Sequence, residues 1–376
     1  MKKKVVFLTG TRADFGKMKP LIKKIEEAHD FENHVFVTGM HTLSKYGSTY
    51  REVEKEGYNN IYKYINQTEN AKMDIILSNT ILGFSNYVNE IGPDMIIVHG
   101  DRVEALAGAI VGSMNNILVS HIEGGEVSGT IDELIRHSIT KLSHIHFVSH
   151  EEAKKRVIQL GEEESNVYVI GSPDIDVMLS SSLPTIEEAK NRYDINFEDY
   201  GIFVYHPVTT ELDDLKENIK KVISAILESD ENYIVIYPNN DEGSDIIFEE
   251  YKRLNNNSNF RIFPSIRFEH FLKLLKNSQF IIGNSSAGIR ESEIYGIPSV
   301  NVGTRQKNRS LNPEIINVSE DKKEILKAIE KAKDKDLKPK YNFGKGNSSK
   351  EFFEILKNNN IWEISYQKNF VDIDNL

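Results

Sequence analysis

Met95-Ile96-Ile97-Val98-His99-Gly100-Asp101-Arg102 is an apolar run that breaks into a polar island, and Ile117-Leu118-Val119-Ser120-His121-Ile122-Glu123-Gly124-Gly125-Glu126 repeats the pattern. It returns at Ile202-Phe203-Val204-Tyr205-His206-Pro207, and again where Phe280-Ile281-Ile282 runs into Gly283-Asn284-Ser285-Ser286-Ala287-Gly288-Ile289-Arg290-Glu291. An open α/β sheet binds ligands outside the carboxyl ends of its strands, so islands in these places present chemistry and point to an enzyme. Working outward, short apolar runs separated by helical patterns fall at Val5 to Leu8, His34 to Thr38, Met95 to His99, Ile117 to His121, His146 to Ser149 and Val167 to Ile170. A second series follows at Ile202 to His206, Tyr233 to Tyr237, Phe260 to Phe263, Phe280 to Asn284 and Ser299 to Val302. Strand alternating with helix predicts an α/β fold with parallel sheets and crossover helices, here built twice in succession.

A chain of 376 residues suits that reading, since roughly 150 residues make one domain. The boundary is expected between Gly171-Ser172-Pro173 and Leu183-Pro184, where two prolines bracket a Ser-rich hinge. Beyond Ser348-Ser349, a serine cap and the spacing of Phe352, Phe353 and Leu356 predict a last helix. The 46 Lys and Arg against 57 Asp and Glu leave a formal charge of −11, which disfavours nucleic acid. Val5 to Leu8, broken at Thr9-Gly10, is too short for a signal-peptide core, so no membrane partner is expected. With no cysteine, disulfides, thiolate nucleophiles and Cys-based zinc sites are excluded, and the cytoplasm is the expected compartment.

Gly10-Thr11-Arg12-Ala13-Asp14-Phe15-Gly16 precedes a helical Lys17 to Glu27 but lacks the G-x-G-x-x-G spacing, which leaves phosphate binding and an ordinary glycine turn equally open. At Gly283 to Glu291, Asn284, Ser285 and Ser286 stand where a strand gives way to a helix and could serve a diphosphate. Glu291 could accept from both hydroxyls of a ribose, and Arg305 in Gly303-Thr304-Arg305 adds a cation. The plainer alternative is a helix cap with a surface glutamate. Asp101, Glu123 and Asp132 are candidates for general base and acid, because crowded carboxylates push at least one pKa upward. Against this, Thr130-x-x-Glu133 reads as a capping box and Asp132 as a first-turn charge beside Arg136. His206, turned outward by Pro207, is as much a candidate catalyst as a structural residue. His144 and His146 share a strand face, but without a third ligand a structural role is favoured and no metal is predicted.

At these residues the chain is similar to the hydrolysing UDP-N-acetylglucosamine 2-epimerases of bacterial sialic acid biosynthesis. The likeness runs in order through GTRADFGKMKPL, VTGMH, YGSTY, HGDRVEALAGA, HIEGGEVSGTIDELIRHSITKLSH, IGSPDIDVM, HPVTTE, YPNND, FPSIRFE, GNSSAGIRE and GTRQKNR. The resemblance implies two Rossmann-like domains in a glycosyltransferase-B arrangement with the active site in the interdomain cleft. The domains would be 1–171, carrying the catalytic carboxylates, and 172–350, binding UDP, with 351–376 returning to the first. It also implies conversion of UDP-N-acetylglucosamine and water to N-acetylmannosamine and UDP without a cofactor, by a cytoplasmic homo-oligomer, dimer or tetramer, whose product feeds sialic acid and capsule polysaccharide. Carried onto matching positions, Asp101, Glu123, Asp132 and His206 are the implied catalytic residues. Arg12, Arg102, Ser285, Ser286, Glu291 and Arg305 are the implied substrate-binding ones. The competing readings are a hydrolysing epimerase of UDP-N,N′-diacetylbacillosamine for legionaminic acid and a non-hydrolysing epimerase that retains UDP on the sugar. More distant are a glycosyltransferase of the same shape and a non-catalytic sugar-nucleotide sensor.

Overall fold

A computed structural model describes residues 2–128, 131–306, 312–369 and 371–372. The chain divides into one unit of Met1–Glu126, Asp132–Ser180 and Asn342–Leu376 and a second of Val127–Ile131 and Ser181–Tyr341. Strands of the first are β1 (Lys3–Thr9), β2 (Phe31–Val37), β3 (Ile61–Lys63), β4 (Met95–His99), β5 (Leu118–Ile122), β6 (Ile145–Val148) and β7 (Val167–Val169). Its helices are α1 (Arg12–Glu26), α2 (Tyr50–Glu54), α3 (Met73–Ile91), α4 (Val103–Met114), α5 (Ile131–Leu142), α6 (Glu151–Gln159) and α7 (Pro173–Met178). The second holds β8 (Gly201–Val204), β9 (Tyr233–Ile236), β10 (Phe260–Phe263), β11 (Phe280–Gly283), β12 (Ser299–Val302) and β13 (Ile316–Val318). With them come α8 (Ile186–Arg192), α9 (Leu212–Glu228), α10 (Ser244–Tyr251), α11 (Phe268–Lys276), α12 (Glu291–Tyr295) and α13 (Lys322–Lys333), and α14 (Ser348–Leu356) rejoins the first unit.

The first sheet has the order β3-β2-β1-β4-β5-β6-β7 and the second β10-β9-β8-β11-β12-β13, with every pair parallel. Strand order reverses beside β1 and β4 in the first and beside β8 and β11 in the second, which is where such sheets open a crevice. The continuous apolar runs make buried strands because both sheet faces are covered by helices. Two edge strands, β3 and β13, escape the sequence reading. Each has three residues and no fully apolar run, and each is recruited by its longer neighbour rather than by its own pattern.

Register fixes the site. Val98 pairs with His121 and His99 with Ile122, so the polar residues that follow β4 and β5 emerge side by side at one edge. In the second unit Gly283 pairs with Val204 at φ +130°, where a Cβ would lie 1.9 Å from the Val204 carbonyl oxygen. Only glycine lets β11 leave the sheet that close to β8.

Helix α14 opens differently from the serine cap expected. Its cap residue is Asn347, whose side chain does not cap, and the Asp176 carboxylate of α7 accepts the N–H groups of Ser348 and Ser349 at 2.8 and 2.7 Å. A carboxylate at a helix N-terminus satisfies orphan donors and complements the dipole. Phe352 is then fully buried, its ring centroid 4.9 Å from that of Phe147 and 6.4 Å from that of Phe7. Among the described residues no helix is long and apolar enough to cross a membrane.

Candidate active site

Glu123 follows β5 with φ +65°, a left-handed backbone that costs an ordinary side chain about 1–2 kcal/mol. The turn is held because its N–H donates to Phe147 O of β6 at 2.9 Å. The side chain is buried, Ser172 Oγ donates to Oε1, and Oε2 lies 3.3 Å from His99 Nε2. Ser172 is itself gripped by the returning C-terminal segment: its N–H donates to Phe343 O at 2.7 Å and its carbonyl accepts from Ser348 Oγ at 3.1 Å. The Gly-Ser-Pro triplet reads as a hinge in sequence, and nothing local signals that its hydroxyl serves a carboxylate 49 residues away. Next to it, Asp174 is fully buried and pairs with Lys17 Nζ of α1 at 3.2 Å, which fastens α7 to α1.

Asp101, half-buried after β4, accepts a charge-assisted bond from Arg136 Nη2. Arg136 is buried and also donates from Nη1 to Glu126 O at 3.1 Å. Burial works against its charge, yet Asp101, Glu126 and Asp132 around it raise its pKa above the ordinary arginine value. The carboxylate crowding expected from sequence is therefore offset by a cation in its midst. Asp132 is buried in the first turn of α5; Thr130, the other half of the expected capping box, lies outside the described residues. The Gly100 turn that aims Asp101 is tied from behind. His121 Nε2 donates to Gly100 O at 2.8 Å, leaving Nδ1 to accept from the Thr140 hydroxyl of α5 at 3.1 Å. Complete burial pushes the His121 pKa from 6.5 down to about 3, so the ring is neutral.

Arg12 and Arg102 stand at the carboxyl ends of β1 and β4. Arg12 Nη2 lies 3.6 Å from Glu52 Oε1, and Arg102 Nε 3.9 Å from Glu104, a buried carboxylate packed against Gly10 and Gly39. Between the two readings left open for Gly10 to Gly16, the hydrogen bonds favour the cap. Asp14 and Thr11 form a capping box, and the Asp14 carboxylate takes the N–H groups of Gly10 and Thr11, each at 3.0 Å. Those backbone donors are spent, so the loop brings a guanidinium rather than an amide cradle. His41, fully buried with its pKa lowered from 6.5 to about 4 by burial, braces this turn through Thr9 at 3.0 Å and Thr49 at 2.8 Å.

In the second unit, His206 and Asn284 face each other beyond β8 and β11. The His206 N–H donates to Asn284 Oδ1 at 2.6 Å, and Asn284 Nδ2 donates to His206 O at 2.8 Å. His206 Nδ1 accepts from the Asn239 N–H at 3.0 Å, so a neutral ring carries its proton on Nε2. Ser285 caps a 3₁₀ turn, Ser286–Gly288, in place of the expected helix, its Oγ accepting from Ala287 N at 3.3 Å. Glu291 opens the short α12 and is buried. Arg305, buried, and Gln306, which the sequence reading does not single out, converge on Asn284 O at 3.3 and 3.0 Å. Thr304 Oγ1 donates to Glu211 at 2.7 Å and fixes that loop. Hydroxyls, a histidine N–H and a guanidinium thus gather around one turn, a set suited to an anion.

His144 and His146 have structural partners. His144 Nδ1 accepts from Val119 N at 3.0 Å and Nε2 donates to Tyr366 O at 3.1 Å, while His146 Nε2 meets Glu162 at 3.0 Å. Among the described residues no cluster of three His, Cys, Asp or Glu could hold a metal ion.

The family model for UDP-N-acetylglucosamine 2-epimerase matches residues 23–357. The chain is 48% identical over 376 residues, 99% of its length and 100% of the relative's, to a UDP-N-acetylglucosamine 2-epimerase of Neisseria meningitidis serogroup B. It is 34% identical over 363 residues, covering 95% of this chain and 96% of the relative, to a UDP-N,N′-diacetylbacillosamine 2-epimerase (hydrolyzing) of Legionella pneumophila. In fold it resembles the UDP-GlcNAc 2-epimerase of Methanocaldococcus jannaschii, crystallised with UDP-GlcNAc and UDP, at a TM-score of 0.80 and 23% identity, over 94% of this chain and 99% of that one. The likeness spans both units and carries the two-domain α/β fold expected from the strand pattern.

Proposed function

The chain belongs to the UDP-N-acetylglucosamine 2-epimerase family, and on that premise we propose that it is a hydrolysing member, turning UDP-N-acetylglucosamine and water into N-acetylmannosamine and UDP. The observation that carries this reading is Glu123: a buried carboxylate on a strained left-handed backbone, oriented by Ser172 beside Asp101 and Asp132. Strain of this kind persists where the surrounding structure over-determines it, as at reacting sites.

The chemistry sets the demand. The C2 proton of the sugar has no adjacent carbonyl, so its removal must be coupled to loss of the leaving group. A carboxylate takes the proton from C2, the C–H electron pair becomes the C1=C2 bond, and the C1–O bond breaks with its pair leaving on UDP. The product of this step is 2-acetamidoglucal. Water then adds its oxygen to C1, and a proton is delivered to C2 from the opposite face, inverting it. The proton transfers fall to Asp101, Glu123 and Asp132, acting in concert as base and acid. His206, with Nδ1 occupied by the Asn239 N–H, offers its Nε2 proton to the departing diphosphate. Arg12, Arg102, Ser285, Ser286 and Arg305 would bind the nucleotide, and Glu291 the ribose. No step calls for a redox cofactor.

The second reading, hydrolysis of UDP-N,N′-diacetylbacillosamine, is favoured by the Legionella relative, but the Neisseria relative is closer in identity at equal coverage. Competition between the two nucleotides for one preparation tests the choice. The proposal expects UDP-N-acetylglucosamine to be turned over at the higher kcat/KM. In ¹⁸O-water it expects UDP without label, because C1–O and not P–O breaks. Preference for the diacetylated sugar, or label in UDP, would count against it.

A further inference from the structure

We infer that Lys368 is a positioning residue of the carboxylate centre, a latch by which the C-terminal segment clamps the helix that carries Asp132 and Arg136. The inference rests on the reading of Asp101 and Asp132 as reacting carboxylates. The last four carbonyls of an α-helix have no partner within it, and a lysine ammonium at that end can collect them while complementing the dipole. Lys368 does so from far along the chain. Its Nζ donates to Lys141 O at 2.9 Å, Thr140 O at 3.4 Å and Ser143 O, and pairs with Glu162. Glu162 is buried and also holds Lys141 at 2.7 Å and His146 of β6 at 3.0 Å, which anchors the ammonium to the sheet. Two residues earlier, Tyr366 O accepts from His144, so the segment grips both sides of the turn after α5.

Helix α5 passes this restraint to the site along two contiguous routes. At its C-terminal end the Thr140 hydroxyl bonds His121 Nδ1, and His121 Nε2 bonds Gly100 O, the residue that turns the chain into Asp101. One turn after Asp132, Arg136 bonds Asp101 directly. A twelve-residue helix moves as a rod, so a shift admitted at Thr140 displaces Asp132, Arg136 and Asp101 together. A misplacement of about 1 Å far from the chemistry can cost roughly a hundredfold in rate. Binding of UDP, by contrast, draws on second-unit groups that Lys368 does not touch.

The test compares wild type with Lys368→Met, which keeps the stem and removes the donors, and with Lys368→Arg. Lys368→Gln replaces the first variant if it does not fold, judged by wild-type UDP affinity. Measured are kcat and KM for UDP-N-acetylglucosamine and amide hydrogen exchange across α5. The inference expects Lys368→Met to speed exchange at the C-terminal end of α5 about tenfold or more. It expects kcat to fall about five- to twentyfold with KM within twofold, and Lys368→Arg to retain most of wild-type kcat. Unchanged α5 exchange would overturn the latch. Faster exchange with kcat within twofold of wild type would overturn its positioning role. A wild-type protein that leaves UDP-N-acetylglucosamine intact would instead overturn the epimerase reading, and the exchange data would still decide the latch.

Discussion

Replacing Glu123 by Gln removes the charge and the basicity of the carboxylate while keeping its shape. The Gln amide oxygen can keep the bond from Ser172 Oγ if its nitrogen takes the Oε2 place opposite His99, 3.3 Å away in the wild type. The fold then loses no buried partner, and uncharging a buried group offsets what the weakened hydrogen bond costs, so stability should stay within about 1 kcal/mol. A positioned general acid or base contributes roughly 10²–10⁴ in rate, which at about 1.36 kcal/mol per decade is roughly 3–5.5 kcal/mol of barrier. Steady-state release of UDP should therefore slow by about a hundredfold or more, while UDP affinity, measured by calorimetry, stays within a few fold. Turnover within threefold of wild type, in a variant of unchanged melting temperature, would refute a chemical role for Glu123.

Arg305→Ala should weaken UDP binding by about 1.5–3 kcal/mol, the range for a charge-assisted contact, and wild-type affinity in titration calorimetry would contradict the anion reading of that turn. Phe352→Ala should cost about 3–5 kcal/mol in urea denaturation, since the ring fills the space between Phe7 and Phe147; a loss under about 1 kcal/mol would mean that α14 is not part of the first unit's core. His41 and His121 give a pH signature. Their folded pKa values, about 4 and about 3, lie below the ordinary 6.5, so between these limits the unfolded chain binds protons that the folded chain refuses. Stability is then full above about pH 6.5 and lost as pH falls toward 4, by about 3 kcal/mol for His41 alone. Melting temperatures that hold level or rise on acidification through that window would contradict the assignment.

What the sequence made legible follows from where information is local. Strands buried on both faces read as unbroken apolar runs, and the residues at their carboxyl ends, Asp101, Glu123 and His206, could be picked out because an open sheet delivers them to one edge. The three-residue β3 and β13 have no such run and depend on the neighbour that pairs with them. The partners that orient the site were hidden for another reason. Ser172 with Glu123 and Arg136 with Asp101 are separated by 49 and 35 residues, and Lys368 reaches Lys141 across 227. Periodicity carries no trace of such pairings. At Gly10 to Gly16 a local signal did exist: Thr11-x-x-Asp14 is a variant of the capping-box spacing, and it foretells that Asp14 takes the backbone donors a phosphate would need.

The central claim, epimerisation at C2 with hydrolytic release of the nucleotide, is tested most directly by proton NMR of the protein with UDP-N-acetylglucosamine in D₂O. The account predicts free N-acetylmannosamine carrying deuterium at C2, matched one for one by UDP. A 2-epimerised sugar still joined to UDP would contradict the hydrolytic step. N-acetylmannosamine that retained the original C2 proton would contradict elimination and readdition from solvent.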